Sequence, residues 1–113
     1  MANEKYAKLV SEKNWKKLAK LAEKKSVQDA VDVAEAVAAG RSEEARNILV
    51  DILARPEREA KVAAVKALGS LRYDPESQME RLRHVDTTGD SELEALVKAS
   101  VESIRAYVKD KKG

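Results

Sequence analysis

A chain of 113 residues, 43% hydrophobic and 37% charged, is long enough to bury one core and too apolar for a disordered tail. It holds no cysteine, which removes disulfides, thiolate catalysis and cysteine-ligated metal sites together. The net charge of +2 is unevenly spread: residues 1–25 carry eight Lys against three Glu, a balance of +5, and the rest of the chain balances at −3.

No apolar run approaches the roughly 18 residues that a membrane-spanning helix needs. The opening MANEKYAKLV lacks the apolar core of a secretory leader, so a cytoplasmic location is expected. No segment alternates with the period of two that marks a half-buried strand, so an all-α fold is expected.

In chain order, Asn3 to Glu12 predicts a first helix with Tyr6, Leu9 and Val10 on one side. Asn14 caps a second helix over 14–25, buried through Trp15, Leu18, Leu21 and Ala22. Ser26-Val27-Gln28-Asp29 resembles a capping box and opens a third helix over 26–39. Gly40 then ends that helix in the left-handed cap conformation that glycine adopts without steric cost. Ser42 caps a fourth helix over 42–54, with Glu43 and Glu44 set favourably against its positive end. Arg55-Pro56 breaks the chain, and Pro56 suits the first position of a fifth helix over 56–71. Asp74-Pro75-Glu76 repeats the start signal for a sixth helix over 75–85. Thr87-Thr88-Gly89-Asp90 is a loop, and Ser91-Glu92-Leu93-Glu94 is a second capping box opening a last helix over 91–109. Lys109 to Gly113 is expected to fray.

The stretch from Glu59 to Leu71 is the most informative. Ala60, Ala63, Ala64, Ala67, Leu68 and Leu71 follow the helical i, i+3, i+4, i+7 series, and Val62 and Val65 widen the stripe beyond a one-sided face. A helix so apolar and so rich in small side chains needs close helical neighbours on most sides.

The later helices group as 14–25 with 26–39, 42–54 with 56–71, and 75–85 with 91–109. Val33 to Gly40 echoes Val62 to Gly69 at an offset of 29, and Val65 to Leu68 echoes Val101 to Ile104 at an offset of 36. Helix pairs recurring at this spacing suit a solenoid, in which each pair covers its neighbour's apolar face. On Glu59-Ala60-Lys61-Val62-Ala63-Ala64-Val65-Lys66-Ala67-Leu68-Gly69-Ser70-Leu71 followed by Asp74-Pro75, the chain resembles the HEAT-repeat family, in its short phycobilisome-lyase-like form. The resemblance implies an alpha-alpha superhelix of about three helix pairs in one domain, used as a scaffold. Trp15-Lys16-Lys17-Leu18-Ala19 opens like a tetratricopeptide repeat, but Glu35 and Glu43 stand where that pattern needs an aromatic and a proline.

Lys13, Lys16, Lys17, Lys20 and Lys24 recur at one-turn intervals and line one side of the second helix. Such a row can contact phosphates, and a solvated outer face explains the same pattern. His84, the sole histidine, has Glu80 one turn earlier and Asp86 and Asp90 nearby. The spacing matches no metal motif, and a histidine near a helix C-terminus is an ordinary arrangement. No nucleophile elbow, P-loop or dinucleotide fingerprint occurs. The expected function is therefore a non-catalytic adaptor without cofactor or metal. It would bind another protein on the second helices of its pairs through Asp32, Glu35, Lys61, Lys66, Lys98 and Glu102. Self-association would extend a short surface, and a nucleic-acid-binding module using the lysine row is the alternative.

Overall fold

The computed structural model describes residues 2–112, and every regular element among them is an α-helix. These are α1 (Ala2–Ser11), α2 (Trp15–Ala22), α3 (Val27–Val37), α4 (Glu43–Leu53), α5 (Arg58–Ser70), α6 (Pro75–Arg83) and α7 (Ser91–Lys112). The all-α expectation holds. The boundaries differ most at α2, which stops short of Lys25, and at α7, which continues through Lys112 where fraying was expected. Gly113 lies outside the described residues.

Helix α5 sits at the centre. Ala60, Ala64, Val65 and Leu68 are fully buried, and the helix touches α3, α4, α6 and α7. Its small side chains let those neighbours approach closely. The approach is tightest at Gly69, where an added Cβ would stand 2.8 Å from the Cβ of Ser100 on α7. The same crossing is bonded, because Ser103 Oγ donates to the Gly69 carbonyl at 3.2 Å. Leu49 and Ile52 of α4 and Ile104 of α7 are buried in the same core, each contributing roughly 1.5–3 kcal/mol by leaving water.

The helices form two rows. In one, α1 touches α3, α3 touches α5 and α5 touches α7; in the other, α2 touches α4. The chain ends fix directions. Arg72 N–H, just after α5, donates to the Gly40 carbonyl just after α3, and Arg58 opening α5 meets Asp90 opening α7. Helices α3, α5 and α7 therefore run parallel. α4 and α6 make no close backbone approach, which leaves a cleft between them.

Caps repeat some sequence signals and revise others. Asn14 accepts from Lys17 N–H at 3.3 Å and Ser42 from Ala45 N–H at 3.2 Å, as their spacing predicts. Ser26 makes no side-chain cap bond, and Asp29 does not reach back; it accepts from the buried Tyr6 hydroxyl at 3.0 Å instead. Asp90, not Ser91, caps α7 by accepting from Leu93 N–H. Asp74 precedes Pro75 in a left-handed conformation (φ 45°) with no side-chain cap bond. The buried Gln78 amide donates to the Tyr73 and Asp74 carbonyls there. Pro56 lies ahead of Glu57, the N-cap of α5, and not at its first helical position. Gly40 is not left-handed; it is required because a Cβ would stand 2.7 Å from Ala45 Cβ.

Arg55, at the expected chain break beside Pro56, ties two helices together. Its Nη1 donates to the Ala22 and Lys24 carbonyls at 2.7 and 2.8 Å, closing the end of α2, while Nε and Nη2 grip Glu57 at 3.0 and 2.9 Å. A cation at the negative end of a short helix is favourable. It also explains why eight residues of α2 suffice.

The Gly69 crossing gives a direct test. Gly69→Ala should lower unfolding stability by about 2 kcal/mol, because neither Ser100 Cβ nor its backbone can yield freely. Adding Ser100→Gly should recover part of that loss in urea denaturation, and equal stability of Gly69→Ala and the wild type would contradict the crossing.

Candidate functional site

One stripe of α5 escapes burial. Arg58, Val62, Lys66 and Ser70 follow one another at four-residue intervals and form a ridge on the face away from α4. On one side of the ridge, Gln28, Val31 and Glu35 of α3, Ala38 at its C-cap, and Ala63 and Ala67 of α5 enclose a groove of about 410 Å³. On the other, Arg58, Val62 and Lys66 with Glu92 and Leu96 of α7 line a smaller groove of about 220 Å³. Val31, Val62 and Leu96, one from each parallel helix, are half-buried, so an apolar strip crosses the three helices.

Charges border this strip. Arg58 grips Asp90 through Nε at 2.7 Å and Nη2 at 3.2 Å and lies 3.5 Å from Glu92. The guanidinium bond, followed by Leu93 N–H, holds the Asp90 carboxyl below the usual carboxylate range, and Asp90 in turn raises Arg58. Glu35 and Lys66 are exposed and make no ion pair among the described residues.

The structure divides the six expected contact residues. It brings Glu35 and Lys66 together on the α3–α5 groove. Asp32 accepts from Gln28 Nε2 at 2.9 Å and faces the Tyr6 side of α3. Lys98 pairs with Glu94 at 3.2 Å and Glu102 with Arg105, both on an exposed edge of α7. Lys61 lies on the opposite side altogether. Its Nζ donates to the Leu53 carbonyl at 3.2 Å, and it lines the cleft between α4 and α6 with Val50, Arg81, His84, Val85 and Asp86. Val31, Val62, Leu96 and Arg58 are surface groups that lie outside the expected contact set. The signal for Val62 was present, because it lay outside the one-sided stripe.

His84 ends α6 as its C-cap, exposed, with Nδ1 2.8 Å from the Glu80 carbonyl oxygen. No group of three or more metal-ligating side chains converges among the described residues. Tyr6 belongs to the core, and Trp15 packs half-buried against it. Lys13, Lys16, Lys17, Lys20 and Lys24 are all exposed, and Asn14, Lys16, Lys17 and Lys20 surround a shallow depression of about 330 Å³. No helix among the described residues is long and apolar enough to cross a membrane. No family model, curated protein or solved structure matches the chain.

The two carboxylates lowered by arginine give a pH signature. Asp90 beside Arg58 and Glu57 beside Arg55 have folded values below their unfolded ones. Their stabilisation is complete above the unfolded range near about pH 4 and is lost as pH falls through the folded values. Stability from urea midpoints should therefore fall between about pH 5 and pH 2, and Asp90→Asn should flatten that fall. An unchanged pH profile in Asp90→Asn would contradict the coupling.

Proposed function

We propose that this chain is a non-catalytic adaptor of the HEAT-like helical-repeat type, which holds an amphipathic helix of another protein against the α3–α5–α7 face. The observation that carries this reading is the strip of Val31, Val62 and Leu96, aliphatic, half-exposed and flanked by Glu35 and Lys66. The parallel inner row and the close Gly69–Ser100 crossing support a repeat architecture. The grooves are floored by aliphatic side chains with charges at their rims, which suits apolar contact rather than proton transfer or nucleophilic attack.

Dimensions and charge describe the partner. Helix α5 has 13 residues and spans about 20 Å, so a partner helix of three to four turns fills the groove beside it. Its apolar anchors at one-turn spacing meet Val31, Val62 and Ala67, a basic residue meets Glu35 and Glu59, and an acid meets Lys66.

Selection from a displayed library of helical 16-residue peptides tests the reading. Enriched peptides should carry apolar residues at i, i+3 or i+4, and i+7, and Val62→Asp should weaken them about 30-fold or more by placing a charge in the apolar contact. Lys98→Glu should leave binding unchanged. Failure to enrich any such peptide, or binding indifferent to Val62→Asp, would overturn the proposal. So would a dimer in sedimentation that Val62→Asp dissolves, since the face would then belong to a second copy.

A further inference from the structure

The outward side of α2 is basic without compensation. On α4, α6 and α7 acids and bases interleave, Glu43 with Arg46, Glu80 with Arg83 and Glu94 with Lys98, and α3 carries only acids. Helix α2 reads WKKLAKLA and holds no acid. Lys16 and Lys20 stand one turn apart on it with Lys17 beside them, and like charges at that spacing repel. Lys13, in a left-handed turn ahead of the Asn14 cap, and Lys24, beyond the helix end, are exposed basic neighbours. None of the five makes an ion pair among the described residues. The scaffold holds this repulsion in place, with the Asn14 cap at one end of α2 and Arg55 on its last carbonyls at the other.

From this unpaired row we propose that α2 docks a single nucleic-acid strand through its phosphodiester backbone. Lys16, Lys17 and Lys20 are exposed around one shallow depression beside Asn14, a narrow basic cluster that the phosphates of a single chain can reach, with exposed Lys13 and Lys24 at either end of the helix. A lipid surface fits less well. The apolar side chains of α2, Leu18, Leu21 and Ala22, are buried in the core, so no apolar face is left to enter a bilayer. Trp15 is half-buried against the core and offers no open ring for base stacking. Lysine contributes point charges and not a bidentate fork, so recognition is indifferent to base sequence. This surface is separate from the α3–α5–α7 strip and stands whether or not that strip binds a helix.

Fluorescence anisotropy of the full chain with a labelled 20-nucleotide single-stranded DNA of mixed sequence is the test. Four phosphate contacts predict an affinity that falls about 50-fold between about 50 and 200 mM salt, with a second sequence bound equally within about twofold. Lys16→Gln, Lys17→Gln and Lys20→Gln together should reduce the logarithmic salt slope by about 2 while leaving the helical circular dichroism unchanged. Absence of binding by the wild type at about 50 mM salt, or the same slope in the triple variant, would overturn the proposal. Displacement of the strand by phosphatidylserine-containing vesicles, at matched accessible charge, would overturn it in favour of a membrane surface.

Discussion

Everything in this fold is arranged around a helix whose side chains are small enough to be enclosed. α5 meets α3, α4, α6 and α7 at once, and only alanine, glycine and a few well-placed aliphatics allow four helices to approach one axis. The Gly69–Ser100 crossing marks the limit of that approach. Once α3 and α7 lie parallel on either side of α5, their outward stripes must form a ridge between two grooves. The candidate surface is thus a consequence of the packing and not an addition to it.

The periphery depends on a few polar ties. Arg55 joins the end of α2 to the start of α5, Arg58 joins α5 to the cap of α7, and Gln78 secures the left-handed entry to α6. Arg55 satisfies carbonyls at the end of α2, Arg58 grips the carboxylate that caps α7, and Gln78, within α6, bonds the Tyr73 and Asp74 carbonyls just ahead of that helix. The Asp90 carboxylate serves both the α7 cap and Arg58, which couples two helix starts through one group. The same kind of tie fixes the end of lysine-rich α2.

The helices were legible in the sequence because their apolar periodicity is strong and their caps are local. Asn14 and Ser42 act as their spacing implies. Ser26-x-x-Asp29 does not, because Asp29 is taken by Tyr6, a residue 23 positions earlier that no local pattern reveals. The 29-residue echo pairs Gly40 with Gly69, yet Gly40 lies beyond α3 against Ala45 while Gly69 lies inside α5 against Ser100. It also pairs the buried Val33 with Val62, which lines a groove. Of the site, the sequence identified Glu35 and Lys66 but placed Lys61 with them. Lys61 is one turn of the wrong phase away, and only the packing of α4 and α6 decides which side it takes. Of the lysine row, Lys16, Lys17 and Lys20 lie on α2, while Lys13 stands in a left-handed turn ahead of its cap and Lys24 beyond its end, because the helix is shorter than the one-turn spacing of the lysines implies.

Native-state hydrogen exchange tests the central place of α5 most directly. Amides from Ala64 to Leu68 should exchange only through global unfolding, with the highest protection in the chain, while those of α1 and α2 should open by smaller local events. Exchange of the α5 amides at rates matching α1 or α2 would contradict the view that this helix holds the fold together.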